Sequence, residues 1–431
     1  MIQDFVNSNN LRNPNKHFIF YQSQSITIEE FNLNVNKISR YIKKHFTNNQ
    51  YIGIQIENPI LFFQTLIAIN RYNITPVIYP NYNNISDYID VTNIPISIDD
   101  KIAENAMVEN YNITIPNNKL YNPSMIQVVL FTSGTSGKPK AIEISYQSIY
   151  NSALKWNRIL DFSKNDLYIN CLPLHHIGGL MIFFRTIIFN MTMKIINFKE
   201  LEESIEVNSI VSLVPTMINQ MVKNNKINLL KNLKSVVVGG DNLNTKLKKE
   251  CLESGAPFYI SYGMTETCSG IAGYWLDKNN INEHRYIPHE DVSINVDNSL
   301  ITIAADCLFS KYYGRKNNLR FLTTNDLGVV NDDGSFSIIG RDNMFIVSGG
   351  ENIDLSMIEG KIIKIKNVKN CHAVGVYDDR WGQKLIVYIV ENKSDDKYNE
   401  SYYLNMLAKK IPKFMLPKEI NIVSNLNNIK I

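Results

Sequence analysis

Apolar runs of strand length alternate with stretches of helical periodicity from residue 25 to residue 238, and this alternation is the strongest constraint on the fold. The segment Thr27-Ile28-Glu29-Glu30 has the spacing of a helix capping box. Apolar residues continue from it at helical intervals: Phe31, Val35, Ile38 and Ile42. Strands that alternate with helices usually form parallel sheets covered by helices on both faces. The sequence therefore predicts an α/β fold whose ligands bind at the carboxyl ends of strands.

The same rhythm sets the remaining predicted elements. Strands are predicted at 51–56, 76–79, 125–131, 167–171, 210–214, 235–238 and 258–262, and helices at 60–69 and 148–160. After residue 290 the pattern changes to a hairpin at 292–303, followed by a turn at 332–334. Because 431 residues exceed what one core usually supports, we predict a large domain at 1–340 and a small α+β domain at 341–431.

Composition excludes several classes of function. Hydrophobic residues make up 44% and charged residues 20% of the chain, which is typical of a globular protein. The net charge is only +3 and long basic runs are absent from the sequence, so we expect no nucleic-acid partner. The start shows no pattern of a signal peptide. Residues 178–196 are apolar, but Arg185 and Asn190 interrupt them, so a buried helix and strand are expected instead of a membrane insertion.

The five cysteines are widely spaced and form no Cys-x-x-Cys pair. Neither a disulfide framework nor a zinc site is therefore expected, and a reducing, cytoplasmic location is predicted. His284 and His289 lie close in sequence, but a third metal ligand is not evident, so we interpret both as loop residues.

The segment Thr132-Ser133-Gly134-Thr135-Ser136-Gly137-Lys138-Pro139-Lys140 directly follows a predicted strand. Backbone N–H groups and lysines in such a loop can surround a polyphosphate. The alternative is an ordinary surface loop, because glycine, serine and threonine are common turn residues. The segment matches neither the Walker A pattern nor the dinucleotide fingerprint, so kinases and dehydrogenases are not indicated.

Further motifs follow in order along the chain. They are Leu172-Pro173-Leu174-His175-His176-Ile177-Gly178-Gly179, Val238-Gly239-Gly240-Asp241, Tyr262-Gly263-Met264-Thr265-Glu266-Thr267, Thr324-Asn325-Asp326, Gly340-Arg341 and Ile346-Val347-Ser348-Gly349-Gly350-Glu351-Asn352-Ile353. The series resembles the acyl-adenylate-forming superfamily of acyl-CoA synthetases, adenylation domains and luciferases. This resemblance implies a multi-sheet N-terminal domain and a small mobile C-terminal lid. It also implies an enzyme that uses ATP and Mg²⁺ to adenylate a carboxylic acid, releases pyrophosphate and transfers the acyl group to coenzyme A.

The resemblance also implies roles for individual residues. Nucleotide-binding residues would be Thr132, Ser133, Gly134, Thr135, Ser136, Gly137, Lys140, Gly239, Gly240, Tyr262, Gly263, Asp326 and Arg341. Catalytic residues would be Thr265, Glu266, His176 and Lys430, with Glu266 as the metal ligand. The acyl pocket would contain His176, Gly178, Gly179, Arg185 and Val214. An arginine in an apolar stretch is rarely unpaired, so Arg185 indicates a partner carboxylate in the protein or in the substrate.

The chain departs from the superfamily pattern in three places. Thr324-Asn325-Asp326 replaces the usual Thr-Gly-Asp. Asn343 stands where the hinge of the lid commonly has aspartate or lysine. Near the C-terminus the usual proline and glycine are missing around Lys430, which is nevertheless the one candidate for the adenylation lysine.

Within the superfamily the chain most resembles the o-succinylbenzoate–CoA ligases of menaquinone biosynthesis. The similarity lies in Leu172 to Leu180 with Phe184-Arg185, in Leu213-Val214-Pro215-Thr216-Met217, and in Tyr262 to Ser269. Two alternatives stay open. One is another ligase of the same mechanism that loads an aryl or fatty acid onto coenzyme A or a carrier protein. The other is a degenerate nucleotide-binding protein without turnover.

Overall fold

The structure is a computed structural model. It describes residues 2–46, 48–81, 85–108, 122–132, 139–241, 243–281, 285–315, 321–341, 345–348, 351–378, 381–392 and 398–426. The chain divides into two compact units. Unit 1 comprises Met1–Asp297, Ile301–Thr324 and Val329–Ile338, and unit 2 comprises Asn298–Leu300, Asn325–Gly328 and Ile339–Ile431. We propose 1–340 and 341–431 as the domain ranges.

A large sheet lies mainly in unit 1, although residues 300, 325–328 and 339–341 of its strands are assigned to unit 2. Its strands are β1 (His17–Tyr21), β2 (Gln24–Thr27), β8 (Leu167–Asn170), β9 (Thr192–Ile195), β10 (Ile210–Leu213), β11 (Ser235–Val238), β12 (Phe258–Met264), β13 (Ser269–Trp275), β14 (Arg285–Pro288), β15 (Val292–Asp297), β16 (Leu300–Ala305), β18 (Leu322–Val330) and β19 (Phe336–Arg341). Their order is β15-β16-β18-β19-β14-β13-β12-β11-β10-β8-β9-β1-β2. The run from β1 through β9, β8, β10 and β11 to β12 is parallel.

A small sheet also belongs to unit 1. It contains β3 (Tyr51–Gln55), β4 (Thr75–Ile78), β5 (Ile96–Asp99), β6 (Ile126–Thr132), β7 (Lys140–Ser145) and β17 (Lys311–Tyr312). The strand order is β17-β7-β6-β4-β3-β5. β3, β4, β5 and β6 are parallel, whereas β6 with β7 and β7 with β17 are antiparallel.

The helices of unit 1 are α1 (Ile2–Arg12), α2 (Ile28–His45), α3 (Pro59–Asn70), α4 (Ser86–Thr92), α5 (Asp100–Val108), α6 (Tyr146–Leu160), α7 (Ile177–Ile188), α8 (Leu201–Ser204), α9 (Pro215–Lys223) and α10 (Thr245–Glu253). Short 3-10 turns occur at Phe198–Glu200, Ile227–Asn232 and Thr265–Thr267.

Two of these helices lie between the large and small sheets. α3 contacts β1 and β4, and α6 contacts β13 and β7. Every residue of α3 is buried, as expected for a helix that is apolar on all sides. Its start is defined by Asn58, whose side chain accepts hydrogen bonds from Ile60 N and Leu61 N at 3.0 and 3.1 Å. This buried layer positions both sheets around one core.

Unit 2 has its own core, formed by a sheet and two helices. Its strands are β20 (Phe345–Ser348), β21 (Glu351–Asp354), β22 (Val368–Asp378), β23 (Gly382–Glu391) and β24 (Glu419–Ile422). The order is β21-β20-β23-β22, and β24 pairs with β23. The helices are α11 (Leu355–Ile362) and α12 (Glu400–Ala408), and a 3-10 turn lies at Lys413–Met415.

The predicted α/β class is confirmed, and the predicted strands and helices are found with small shifts at their ends. The hairpin at 292–303 is confirmed as β15 and β16, with Asn298 and Ser299 at φ 50° and 68° in its turn. One feature differs from the expected parallel pattern. From β12 to β13, β14 and β19 the large sheet is antiparallel. The first of these pairings arises because a short turn instead of a crossover helix connects β12 to β13.

Residues 178–196 form α7 and β9, which confirms the predicted buried helix and strand. In the part of the chain that the structure describes, helices long and apolar enough to cross a membrane are absent. All five cysteines are free.

The capping box at α2 is confirmed and provides a test of the fold. Glu30 N donates to Thr27 Oγ1 at 3.2 Å, and Thr27 N donates to Glu30 Oε2 at 2.8 Å. We expect Thr27→Ala to lower the free energy of unfolding by about 1 kcal/mol, because one helix N–H loses its acceptor. Urea unfolding followed by circular dichroism measures this. Thr27→Ser keeps the hydroxyl and serves as the control, so equal losses in the two variants would contradict the capping role.

Candidate active site

The glycine- and serine-rich segment connects two antiparallel strands of the small sheet. Thr132 ends β6 and is paired with Lys140, which begins β7. Residues Ser133, Gly134, Thr135, Ser136 and Gly137 lie outside the described residues. The two ends of the predicted phosphate loop are therefore adjacent, because the loop leaves the end of β6 and returns at the start of β7.

A tight turn follows β12 of the large sheet and carries Thr265 and Glu266. Met264 N donates to Thr267 Oγ1 at 2.8 Å, and this hydroxyl donates to Ser269 O at 2.6 Å. Cys268 completes the turn in the left-handed conformation, with φ 53°. These contacts hold both predicted catalytic side chains, each half-buried, at the carboxyl end of β12.

Gly263 is required by the backbone around this turn. The pairing of β12 with β13 is irregular between Tyr262 and Gly263. A Cβ atom at Gly263 would lie 2.2 Å from Ser269 O, which is far below a permitted contact. The close approach of β12 and β13 is thus possible only without a side chain at this position.

Glu266 and Lys140 come together although they are far apart in sequence. The charge of Lys140 and the hydroxyl of Tyr312 both act on the Glu266 carboxyl, and Lys140 Nζ lies 5.9 Å from the Tyr312 ring. Phe309 N donates to Glu266 O at 2.8 Å, which joins the turn after β12 to the segment that leads into β17. The motif at β12 and the start of β7 therefore meet within unit 1.

The protonation of Glu266 reflects this environment. Burial raises the pKa of the Glu266 carboxyl, while its own backbone N–H, the charge of Lys140 and the hydrogen bond from Tyr312 act in the opposite direction. A partly desolvated carboxylate beside a lysine is suited to bind a hard divalent cation together with phosphate groups.

Gly239 and Gly240, two of the predicted nucleotide-binding residues, directly follow β11 and lie beside the end of β10. Gly239 N donates to Leu213 O at 3.2 Å, and Gly240 has φ +87°, a conformation that favours glycine. A Cβ atom at Gly240 would lie 3.5 Å from Val214 Cγ1. At Gly239 the nearest atoms would be 3.9 Å away. Packing against the protein therefore does not require glycine at 239, and the space beside it can accept a ligand.

Tyr262 is mostly covered by protein, with 8% of its surface exposed. Its ring centroid lies 5.7 Å from Tyr286 and 5.4 Å from Phe336. These aromatic contacts restrain the orientation of the Tyr262 ring near the carboxyl end of β12.

The start of α7 brings His175, His176, Gly178 and Gly179 together. The histidine rings are 4.3 Å apart. Burial lowers the pKa of His176, and burial together with His176 lowers the pKa of His175 to about 4, so both are neutral at pH 7. A Cβ atom at Gly179 would lie 2.5 Å from Pro173 O, so packing alone accounts for this glycine, whereas at Gly178 it would meet only Leu172 Cδ1 at 3.3 Å.

Arg185 lies near the end of α7 and is 3% exposed. Its Nη2 donates to Ser269 Oγ at 2.6 Å, and the guanidinium lies 4.7 Å from the Trp156 ring. Among the described residues, carboxylates within ion-pair distance of Arg185 are absent, and Nε has no hydrogen-bond acceptor. Burial lowers the pKa of Arg185. The partner carboxylate expected within the protein is thus not found in the described part of the chain.

The other predicted site residues belong to unit 2 or lie outside the description. Asp326 is in unit 2 and is 3% exposed. Arg341 ends β19, but its side chain is not among those described. The hinge candidate Asn343 and the adenylation candidate Lys430 lie outside the described residues.

His289 is a core residue as well as a loop residue. It is 3% exposed, and its Nε2 lies 2.8 Å from the Tyr259 hydroxyl. Its pKa is lowered to about 4 by burial and by the charges of Arg185 and Lys155. His284 lies outside the described residues. Within the described ranges, clusters of three or more metal-ligating side chains are absent.

Sequence reasoning missed Tyr312, which contacts the site from β17. The surrounding Lys311-Tyr312-Tyr313-Gly314-Arg315 contains no pattern specific to a site. The pairing of β17 with β7 and the hydrogen bond from Phe309 N to Glu266 O together bring this tyrosine to the site.

Comparisons with known proteins agree on one family. Residues 81–297 match the AMP-binding enzyme family, and residues 357–430 match the AMP-binding enzyme C-terminal domain. A 2-succinylbenzoate–CoA ligase of Lactococcus lactis subsp. lactis (strain IL1403) is 26% identical over 441 residues, which cover 96% of this chain and 94% of the relative.

Two solved structures of Bacillus subtilis o-succinylbenzoate CoA synthetase (MenE) share the fold at 20% identity. The complex with the acyl-adenylate intermediate OSB-AMP has a TM-score of 0.83 and covers 98% of this chain and 94% of that one. The complex with ATP and a magnesium ion has a TM-score of 0.81, with coverage of 98% and 96%. These likenesses confirm the predicted architecture.

The glycines of the site provide a test of its packing. We expect Gly263→Ala to lower the free energy of unfolding by about 1–3 kcal/mol, because its Cβ must displace the backbone at Ser269. Gly239→Ala is the matched control, and we expect it to change the free energy of unfolding by less than about 0.5 kcal/mol. Thermal unfolding of both variants compares the two positions, and equal stability would refute the described contact of β12 with β13.

Proposed function

The chain belongs to the family of AMP-binding enzymes, and on that premise we propose that it is an ATP-dependent 2-succinylbenzoate–CoA ligase. The relative from Lactococcus lactis carries this name and matches nearly the whole chain. The reaction would adenylate the acid, release pyrophosphate and pass the acyl group to the thiol of coenzyme A. We propose that the enzyme acts in the cytoplasm, which suits its five free cysteines.

The observation that carries this proposal is the convergence of Lys140 and Glu266 on the segment around β17: Lys140 Nζ lies 5.9 Å from the Tyr312 ring, and Phe309 N donates to Glu266 O at 2.8 Å. Adenylation brings two anions together, the carboxylate and the polyphosphate, so a site for it needs positive charge and oriented donors. Lys140 supplies a positive charge at the end of the predicted phosphate loop. Thr265 adjoins Glu266 and can donate its hydroxyl to the α-phosphate.

The residues present fit a magnesium ion that is held mainly by ATP. Mg²⁺ is usually bound by one or two carboxylates, phosphate oxygens and water. Glu266 provides one such carboxylate, and the described residues contain no cluster of three acidic or metal-ligating side chains that would form a complete protein cage. When bound, the ion would neutralise phosphate charge.

The chemistry divides into two displacements. In the first, an oxygen of the substrate carboxylate forms a bond to the α-phosphorus while the bond to pyrophosphate breaks. In the second, the thiolate of coenzyme A bonds to the acyl carbon, and AMP leaves with the electron pair of the mixed anhydride. Lys430 would assist the first step, and Asn343 would be the hinge of the lid; both roles stay predictions.

A dicarboxylic acid fits the charges near α7. Because His175 and His176 are neutral at pH 7, Arg185 is the permanent cation of this predicted acyl pocket. A buried guanidinium bound to a hydroxyl and an aromatic ring still lacks a counter-charge. We infer that the second carboxylate of 2-succinylbenzoate supplies it. A backbone N–H near Gly263 is the alternative donor for that carboxylate.

Glu266 provides the first test of the proposal. We expect Glu266→Gln to lower ATP–pyrophosphate exchange by about 10²-fold or more, because an uncharged amide holds a magnesium-bound nucleotide poorly. The variant keeps the shape of the side chain, so circular dichroism should be unchanged. Full exchange activity in the folded variant would disprove the assigned role of Glu266.

The same assay separates the rival functions. A chain without exchange for any acid would be a nucleotide-binding protein that has lost turnover. Exchange with 4-coumarate, benzoate or a medium-chain fatty acid at least equal to that with 2-succinylbenzoate would indicate a ligase for another acid.

Arg185 provides the test of the substrate. We expect Arg185→Gln to lower kcat/KM for 2-succinylbenzoate by about 10²-fold or more, because the second carboxylate loses a buried charged partner. The low kcat/KM for benzoate should stay near its wild-type value, since benzoate lacks that carboxylate. The rate of coenzyme A thioester formation gives kcat/KM for 2-succinylbenzoate and for benzoate.

Arg158→Gln is the matched control for this test. Arg158 lies on α6 and is exposed, with ion pairs to Glu290 at 2.9 Å and Asp291 at 3.4 Å. Its loss should leave both substrates unaffected. Equal losses for 2-succinylbenzoate and benzoate in Arg185→Gln, with ATP binding intact, would show that Arg185 only supports the fold.

A further inference from the structure

Tyr312 lies between the two motifs that meet at the candidate active site. It belongs to β17, which pairs with β7 so that Tyr312 is opposite Ile142. Side chains two residues apart on a strand share a face, so Ile142 and Lys140 lie on the same side of β7. Tyr312 is thus a diagonal neighbour of Lys140 on that face.

The contacts of Tyr312 include charged groups of both motifs. Its hydroxyl lies near enough to the Glu266 carboxylate to lower the pKa of that carboxyl, in opposition to burial, which raises it. Lys140 Nζ lies 5.9 Å from the centroid of its ring, and the Arg315 guanidinium lies 5.6 Å from it. On the apolar side the Phe309 ring packs edge-on at 4.8 Å. The ring is therefore held in place while its hydroxyl and face point to charged partners.

We propose that Tyr312 is a positioning residue for the adenylation step, because its hydroxyl orients the Glu266 carboxylate and its ring holds Lys140 beside that carboxylate. This inference rests on the proposed function. An ionised carboxylate only accepts hydrogen bonds, so the tyrosine hydroxyl is the donor. A cation over the face of an aromatic ring is attracted by the ring electrons, which restrains the flexible lysine side chain.

The physical effect is preorganisation. A glutamate side chain that is free to rotate loses conformational entropy when it binds a magnesium-bound nucleotide. The hydrogen bond from Tyr312 removes part of that freedom before ATP arrives. The hydroxyl should therefore matter when Mg²⁺ accompanies ATP and should matter little without the metal.

The adjacent Tyr313 is a natural control. Successive strand residues face opposite sides, and Tyr313 faces away from Glu266. Its hydroxyl donates to Thr92 O at 3.2 Å, and its ring lies 5.3 Å from that of Tyr51. Tyr313→Phe removes the same atom as Tyr312→Phe but from the other face of β17.

The test measures ATP binding to the full chain by isothermal titration calorimetry, in excess Mg²⁺ and in EDTA. We expect Tyr312→Phe to raise the Kd of ATP in Mg²⁺ about tenfold, as for the loss of one hydrogen bond to a charged group. The Kd in EDTA should stay within about twofold of wild type, because the ring and its contact with Lys140 remain. Tyr313→Phe should match wild type under both conditions.

A double-mutant cycle then asks whether Tyr312 acts through Glu266. In the Glu266→Gln background, Tyr312→Phe should cause much less weakening of ATP binding in Mg²⁺ than in the wild-type background. An undiminished effect there, an equal loss in Mg²⁺ and EDTA, or no loss at all would overturn the positioning role.

The failure of the proposed function has a different signature. A wild-type chain that binds ATP no more tightly in Mg²⁺ than in EDTA would overturn the magnesium role of Glu266 and this inference with it. If wild type shows the Mg²⁺ effect and Tyr312→Phe retains it in full, only the inference about Tyr312 fails.

Discussion

A backbone hydrogen bond, from Phe309 N to Glu266 O at 2.8 Å, links the turn after β12 of the large sheet to the segment that enters the small sheet, beside the candidate active site. Glu266 follows β12 of the large sheet, and Phe309 leads into β17 of the small sheet. Because β17 pairs with β7, the same segment also lies beside the strand that begins with Lys140. The approach of the oppositely charged Lys140 and Glu266 therefore depends on α3 and α6, the two helices that pack between the sheets.

Burial determines which groups of the site carry charge. It keeps His175 and His176 neutral at pH 7, and it raises the pKa of Glu266 against the influence of Lys140. Arg185 remains a cation although it is buried, because a guanidinium cannot lose its proton in a protein. Its contacts include a serine hydroxyl and a tryptophan ring, which are neutral groups. The assignment of Arg185 to the acid side of the site and of Lys140 to the phosphate side stays a prediction.

The glycines of the candidate site differ in how far packing explains them. At Gly263 and Gly179 a side chain would collide with the backbone, so these residues allow protein segments to approach each other. At Gly178 a Cβ atom would meet the end of the Leu172 side chain at 3.3 Å, whereas at Gly239 the nearest atoms would be 3.9 Å away. Packing therefore does not require glycine at 239, where a role in ligand binding stays a prediction.

The sequence by itself determined the α/β class, the capped start of α2, the hairpin at β15 and β16 and the family, because these follow from local periodicity and from motifs that are contiguous in the chain. It could not show that the large sheet becomes antiparallel after β12, since that depends on a turn stabilised by Thr267 and Cys268. Only the tertiary structure brought Tyr312 to Glu266 and surrounded Arg185 with neutral partners. Contacts between distant segments arise from the packing of both sheets on a shared helical layer, and local sequence patterns do not encode that packing.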